Sequence, residues 1–305
     1  MKKIIAPSVT VVTRTKNRVL LLERAINSVL NQKFSNWRHI IVNDGGDVEA
    51  VEVLISRYRH LYEGRIQVVH NAESLTMESA SNAGLALADS EYFCIHDDDD
   101  SWEDTFLSEM VSCLDEHGQD SKVGGCISYA TVIMEDVQDG LVTENSRHFF
   151  SDYEGLSYFS MVCRNWFPPI CFLVRTAVLK KIGYFDGGLP VLGDWDFNMR
   201  FMRHFDLVVY KKPLANYHHR ASAVGSFSNS VYGENDKHKY YRSVLLDREI
   251  KSSLENGTLD QGSLAVMALL AQRITELESL VERTKQDTIW EIKSHLNWIM
   301  TKSGN

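Results

Sequence analysis

Short β-rich runs alternate with segments of helical spacing along the first third of this 305-residue chain. The β-rich runs are Val9–Val12, His39–Val42, Ile66–Val69 and Tyr92–His96. Between the first two runs, apolar residues from Leu20 to Leu30 recur at helical spacing. Alternation of this kind predicts a parallel sheet covered by helices, in which the loops that follow the strands form the site.

Polar loops follow these strands at residues 13–18, 43–47 and 96–101, and we expect the three loops to converge at one edge of the sheet. The last loop contains four consecutive aspartates, Asp97 to Asp100. Such dense negative charge favours a resident divalent cation, because Mg²⁺ and Mn²⁺ prefer carboxylate oxygens together with the phosphates of a substrate. Solvated surface charge and helix capping are the alternative interpretation of an acidic turn.

The composition argues against several classes of protein. With a formal net charge of −9 at pH 7, the chain lacks the basic excess that general binding to nucleic acid requires. Its five cysteines form no C-x-x-C pair, which argues against a disulfide framework or a thiolate zinc site and favours a reducing cytoplasm. No apolar run approaches the length of a membrane-spanning helix. Peripheral attachment at the inner face of the membrane, through Trp290 and Trp298, is a weaker expectation.

After residue 120 the alternation weakens, and the sequence predicts mixed α+β structure that offers the surface for a second substrate. Strands are predicted near Ile127–Met134 and Cys171–Val174, and helices near Thr176–Ile182 and Asp194–His204. The segment 222–233 is small, polar and punctuated by glycine. This composition suits either a loop that closes over a substrate or a linker.

The end of the chain is different in kind. A heptad seam is formed by Met267, Leu270, Ile274, Leu277 and Val281. The spacing breaks and then resumes at Ile289. We predict a long amphipathic helix over residues 263–300 that packs either on its own domain or on a second chain, as a homo-oligomer. The predicted domains are therefore residues 1–250 and a helical tail at 251–305.

Five ordered motifs resemble those of family 2 glycosyltransferases, which have the GT-A fold. The motifs are Pro7–Arg18 with the helix that follows it to Gln32, Trp37–Gly46, Ser81–Gly84, Asp97–Trp102 and Gly193–Phe197. They cover roughly residues 7 to 220. The resemblance implies an α/β fold with a Rossmann-like, mostly parallel sheet and a mixed α+β second half, followed here by the C-terminal amphipathic or coiled-coil helix.

The resemblance also implies a site for a nucleotide-linked sugar. The residues expected to bind this donor are Thr13, Arg14, Thr15, Asp44, Asn82, Asp97, Asp98 and Arg220. For Asp44, a turn residue that stabilises its own loop is the alternative. Many members of the family carry arginine where this chain has Ser81, and Arg220 is expected to compensate near the diphosphate.

The D-x-D element of the family falls on Asp97 and Asp99, with Asp98 in the variable place. Alternate residues of an extended segment point the same way, so the first and third aspartates are expected to face one Mn²⁺ or Mg²⁺ ion. Asp99 is the preferred metal ligand, and Asp97 alternatively contacts ribose. A third ligand is expected from His218 or His219. Asp100 is predicted to cap a helix that begins near Trp102.

Asp194 matches the aspartate that acts as general base in inverting members of the family. Many members have glutamate immediately before it, where this chain has Gly193. Asp196 either replaces that missing carboxylate or pairs with Arg200 on the same helix, and the pairing is favoured.

The expected function is an inverting, metal-dependent transfer of sugar from a nucleoside-diphosphate sugar, with a UDP-sugar favoured, to a glycan, a lipid-linked sugar or a protein. A non-catalytic module that binds nucleotide sugars or glycans and assembles through the tail is the alternative. Nucleotidyl transfer predicts a glycine-rich phosphate loop, and residues 13–18 contain no glycine.

Overall fold

The computed structural model describes residues 7–118, 122–138, 140–151, 153, 155–220, 225–227, 229 and 235–302, except for the side chains at 226, 235, 287, 291, 292 and 294–302. Most of the segment 222–233, predicted to be a closing loop or a linker, lies outside these residues. The chain divides into two compact units, Met1–Arg242 and Ser243–Asn305.

The first unit is built on one mixed sheet of nine strands among the described residues. The strands are β1 Val9–Thr15, β2 Trp37–Asp44, β3 Ile66–Asn71, β4 Tyr92–Ile95, β5 Ser101–Trp102, β6 Val123–Gln138, β7 Leu141–Phe150, β8 Phe172–Arg175 and β9 Asp206–His219. They lie in the order β3-β2-β1-β4-β8-β6-β9-β5, and β7 pairs with β6. The first four strands are parallel to one another, whereas β8 joins β4 to β6 through antiparallel pairing.

The helices of the described residues are α1 Val19–Leu30, α2 Val48–Tyr62, α3 Met77–Leu85, α4 Phe106–Asp115, α5 Tyr158–Cys163, α6 Leu179–Ile182, α7 Gly193–Met202, α8 Asn235–Glu255 and α9 Gln261–Lys302. Three short 3₁₀ turns occur at Pro169–Cys171, Thr176–Val178 and Gly225–Phe227. The predicted alternation of strand and helix, followed by a mixed second half, is confirmed.

Hydrophobic spacing explains the packing of these elements. In α1, residues Leu22, Ile26 and Val29 recur on one face, and all three are fully buried. Burial of such side chains stabilises the fold by about 1.5–3 kcal/mol each. Strand β2 is buried along nearly its whole length, as expected for a central parallel strand covered on both faces.

The strand register places the polar loops at one edge of the sheet. Thr15 at the end of β1 pairs with Asn43 on β2, and Val12 pairs with Ile95 at the end of β4. The residues that follow β1 and β4 are therefore neighbours, as the sequence predicts. This edge carries the acidic run.

The chain after the acidic run differs from the prediction. Ser101–Trp102 forms β5, which pairs with Ala215 and Asn216 on β9, and the next helix begins only at Phe106. Asp100 instead accepts a 2.8 Å hydrogen bond from the backbone N–H of His218. The prediction that Asp100 caps a helix is wrong, because the residues that follow it form strand β5 and pair with β9 instead of beginning a helix.

In the second unit, helix α9 presents its heptad seam to solvent. Met267, Leu270 and Leu277 are all more than half exposed, at 56%, 57% and 60%. Within the part of the chain that the structure describes, no helix is long and apolar enough to cross a membrane.

Candidate active site

Arg14 connects the acidic run, Asp97 to Asp100, to helix α3. It follows Thr13 near the end of β1, and its Nε donates to the Asp97 carboxylate at 3.0 Å. The same guanidinium donates to the Ser81 hydroxyl at 2.9 Å and to the Met77 carbonyl at 3.2 Å, both on α3. Arg14 thus brings positive charge to the place where the sequence has Ser81.

A second arginine neutralises the middle of the acidic run. Arg18 donates from Nε to Asp98 at 3.1 Å and lies 3.5 Å from the nearest carboxylate oxygen of Asp99. The Asp98 side chain is completely buried, and Thr15 is buried beside it. A buried carboxylate without a nearby cation is costly, so the positive charge of Arg18 stabilises the buried carboxylate of Asp98.

Arg220 is fully buried and bridges two carboxylates. It donates to Glu135 on β6 at 2.7 Å and also to Asp99. Burial raises the pKa of Asp99, but the charges of Arg18 and Arg220 outweigh this effect and hold the pKa below its usual value. The sequence predicts Arg220 near the diphosphate, and in the structure its guanidinium binds the predicted metal ligand Asp99.

The two adjacent histidines have different surroundings. Both ring nitrogens of His218 are engaged, one with Glu135 at 2.9 Å and the other with the Ser101 hydroxyl at 3.0 Å. The ring of His219 packs edge-on against Tyr217, and the charge of Asp99 acts on it. Burial lowers the pKa of His219, which favours the neutral imidazole that binds metals.

Asp194 lies in the first turn of α7 and is held by two donors. Asn165 donates to one carboxylate oxygen at 2.6 Å, and the backbone N–H of Trp195 donates to the other at 2.8 Å. Leu192 at the start of this helix has φ of 65°, a left-handed conformation that is costly for a branched side chain. Burial raises the pKa of Asp194 above its usual range.

The predicted base and the acidic run belong to one site. Arg14, which binds Asp97 directly, lowers the pKa of Asp194 through its charge, and Asp97 raises it. These groups are therefore close enough for their charges to interact. A carboxylate with a raised pKa beside an arginine and a cluster of acids is typical of a functional site.

Three predicted donor residues have side chains that are committed to the protein itself. The Thr13 hydroxyl lies 2.9 Å from a ring nitrogen of His39, and it is fully buried. The Asn82 amide makes two hydrogen bonds with the backbone of Phe185, at 2.8 and 3.0 Å. Asp44 accepts hydrogen bonds at the end of β3 and from the loop that follows it, whereas the alternative considered for Asp44 was a turn that stabilises its own loop. Its partners are Asn71, Ser74 and the N–H of Leu75.

The acidic run suits a hard cation that shares its coordination with a substrate. Asp97 and Asp99 keep 21% and 11% of their side chains exposed, whereas Asp98 is sealed by Arg18. Carboxylate oxygens are the right donors for Mg²⁺ or Mn²⁺, and such ions commonly use one or two carboxylates plus phosphates. The described residues include no group of three or more acidic, histidine or cysteine ligands arranged as a complete metal site.

Several residues of the site were not predicted. Arg18 is part of a polar motif but was given no role, and Glu135 lies within an ordinary strand. Asn165 and Glu78 gave no signal in the sequence. By contrast, the favoured pairing of Asp196 with Arg200 is confirmed at 2.7 Å.

Comparison with known proteins places this geometry in a family. The model described as "Glycosyl transferase family 2" matches residues 10–182. The uncharacterized glycosyltransferase YwdF of Bacillus subtilis is 26% identical over 286 residues, which are 93% of this chain and 95% of that protein. The amylovoran biosynthesis glycosyltransferase AmsB of Erwinia amylovora is 26% identical over 215 residues, covering 69% of this chain and 68% of that protein.

Solved structures share the fold. The S. aureus TarS 1–349 crystal structure in complex with UDP-GlcNAc aligns with a TM-score of 0.53 and 18% identity, over 72% of this chain and 62% of that one. The sheet and its helices have a GT-A-like fold. Because the family model spans more than half of its residues, the chain belongs to glycosyltransferase family 2. It is an enzyme of that class, and the alternative of a non-catalytic module is set aside.

Proposed function

We propose that this enzyme transfers a sugar, with inversion, from a nucleoside-diphosphate sugar to a hydroxyl group of a glycan, a lipid-linked sugar or a protein. One observation carries the proposal: Arg14 binds Asp97 and the carbonyl of Met77, and Glu78, which follows Met77, lies against Gly193 next to Asp194. The groups suited to hold a diphosphate are therefore adjacent to a candidate base. The complex of TarS with UDP-GlcNAc supports a UDP-sugar as the donor.

In the proposed reaction, Asp194 accepts the proton of the acceptor hydroxyl while that oxygen attacks the anomeric carbon. The bond from this carbon to the diphosphate breaks, the nucleoside diphosphate leaves, and the configuration inverts. Asn165 and the N–H of Trp195 orient the carboxylate. The raised pKa of Asp194 makes it a stronger base than an exposed aspartate.

Asp97 and Asp99, with His219 nearby, are the residues that would hold Mn²⁺ or Mg²⁺. When bound, such an ion would neutralise charge that develops on the departing diphosphate. Arg14 and Arg18 supply fixed positive charge to the same edge, and Arg220 holds Asp99 from behind. Thr15 and Asp98 are buried within this edge, while Asp44 shapes the nucleotide side by ordering the loop after β3.

The test combines binding and turnover. Thermal-shift titration with UDP-, GDP- and dTDP-sugars in the presence of Mn²⁺ identifies the donor, since a ligand of the folded state raises the melting temperature. Asp194→Asn is expected to reduce transfer by about 10²–10⁴-fold, the range typical of a general base. Its affinity for the donor should stay within a few-fold of wild type.

Asp89→Asn is the matched control, because Asp89 is an exposed aspartate outside the site. A large loss of donor affinity in Asp194→Asn would reassign that residue to the donor site. Normal transfer by Asp194→Asn would overturn the proposed base.

A further inference from the structure

Glu78 carries a buried carboxyl group that has no role in the proposed reaction. It lies in the first turn of α3, directly after Met77, and is only 2% exposed. Its Oε2 has no hydrogen-bond partner among the described residues. A buried polar atom without a partner is costly, so its persistence calls for an explanation.

The position of Glu78 is set by a glycine next to the candidate base. A Cβ atom built on Gly193 would lie 2.1 Å from Glu78 Cγ and 2.4 Å from Oε1. Real side chains do not approach so closely, so residue 193 must lack a side chain as long as Glu78 stays in place. The carboxyl of Glu78 therefore fills the space that a side chain immediately before Asp194 would occupy.

The charges around Glu78 are those of the site. The pKa of Glu78 is raised to about 7, mainly by burial; Arg14 lowers the pKa and Asp194 adds to the rise. At neutral pH such a carboxyl is present in both protonation states, and it is able to accept or donate a hydrogen bond. These are the properties of a group that binds a hydroxyl.

Stabilisation of the α3 helix dipole is the simpler explanation for an acid in a first turn. Glu49 has the equivalent place in α2, where it is exposed to solvent. A dipole effect needs neither burial nor an unpaired oxygen, and burial makes the ionised form less favourable. A role in stabilising the helix dipole also does not explain why the Glu78 side chain lies against Gly193.

We propose that Glu78 is a substrate-binding residue whose carboxyl holds a sugar hydroxyl beside Asp194, in the space left by Gly193. This inference rests on the proposed function. The hydroxyl belongs either to the donor sugar or to the acceptor, and the experiment separates these two sources.

Glu78→Ala, Glu78→Gln and the control Glu49→Ala are compared with wild type on the donor identified by thermal shift. Binding of UDP alone, binding of the intact UDP-sugar, and transfer to a panel of 4-nitrophenyl glycosides are measured. For Glu78→Ala we expect UDP affinity within a few-fold of wild type and at least a tenfold loss in a step that involves sugar. Weaker binding of the UDP-sugar assigns the hydroxyl to the donor, and an increased KM for the glycoside assigns it to the acceptor.

A relocated carboxyl tests whether the chemistry or merely the packing matters. In Glu78→Ala/Gly193→Glu the new side chain enters the vacated space, and we expect recovery of several-fold in transfer over Glu78→Ala. Glu78 variants that fold and match Glu49→Ala in every measurement would overturn this inference alone. Loss of UDP binding equal to the loss of UDP-sugar binding would overturn it too. A wild-type chain that binds and turns over no nucleotide sugar would remove the proposed function, and this inference with it.

Discussion

The fully buried guanidinium of Arg220 donates a 2.7 Å hydrogen bond to Glu135, and Arg24 and His218 bind the same carboxylate. Glu135→Gln removes the shared negative charge and leaves Arg220 with less compensation in a dry environment. We expect a loss of about 2–4 kcal/mol in the free energy of unfolding, measured in urea at pH 7. Glu144→Gln, which breaks only the exposed pair with Arg147, should leave the free energy of unfolding almost unchanged.

The stabilisation by Glu135 depends on pH with a definite sign. Burial would raise its pKa, but hydrogen bonds from His218 and Arg24 outweigh this effect and lower the pKa to about 2. The stabilisation is therefore fully present above the unfolded pKa of 4.5 and is lost as the pH falls towards 2. The difference between wild type and Glu135→Gln should shrink over that range, and a constant difference would contradict the ionic explanation.

Asp99→Asn tests the predicted metal ligand. Replacement of a carboxylate by an amide weakens a hard-cation site, so we expect UDP to bind at least about tenfold more weakly in Mn²⁺. In EDTA the variant and wild type should differ by less than about threefold. Isothermal titration in both buffers measures this, and equal weakening in the two buffers would count against ligation. A melting curve of the variant checks that Arg220 has not destabilised the fold after losing one partner.

Asn165→Ala tests how a hydrogen bond changes the pKa of the proposed base, Asp194. The hydrogen bond from Asn165 lowers the pKa of Asp194, which burial raises. Because the base acts when ionised, transfer should rise with pH through the pKa of Asp194, and loss of the Asn165 amide should move that rise to higher pH. Profiles of kcat against pH measure the shift. Asn145→Ala, on the exposed strand β7, should leave the profile unchanged.

Glu78→Gln should stabilise the protein at alkaline pH. The folded pKa of about 7 lies above the unfolded 4.5, so the folded state binds the extra proton and wild-type stability falls as the pH rises between these values. The penalty is on the order of 3 kcal/mol once both states are ionised. Urea unfolding at pH 5 and pH 8 should show a gain for Glu78→Gln that is larger at pH 8. A gain that is equal at both pH values would point to packing.

The tail should determine the mass in solution. We propose self-association through residues 263–300, since the seam residues Ile274 and Leu277 are 57% and 60% exposed. Light scattering should give a multiple of 34.8 kDa for the whole chain and a monomer for a chain that ends at Gly262. Leu277→Lys should also dissociate the oligomer, while Ser279→Lys should not. A monomeric full chain would refute the proposal.

Sequence patterns predicted the positions of loops better than the partners of side chains. Strand alternation correctly brought Arg14 and Asp97 to one edge, because parallel strands share the direction of their ends. Pairings across distant loops, such as Arg220 with Asp99 at a separation of 121 residues, follow no local periodicity. Asn82 illustrates the same limit, since its motif was recognisable but its amide binds the backbone of Phe185.

The departure at Gly193 shows why single positions are hard to interpret from sequence. From the sequence, this position lacks the carboxylate that many members of the family carry before the base. In the folded chain, the side chain of Glu78 on helix α3 occupies the space that a side chain at position 193 would need. Only packing in three dimensions connects the two positions.

The arginines around the acidic run have a consequence for how the enzyme meets its substrate. Arg14, Arg18 and Arg220 are counter-ions that the folded chain itself supplies to three mutually repelling aspartates. The electrostatic work of assembling the run is thereby completed before any ligand arrives, and little of the binding energy is spent on arranging it. In the proposed reaction, an incoming diphosphate would meet a surface whose positive and negative groups are already ordered.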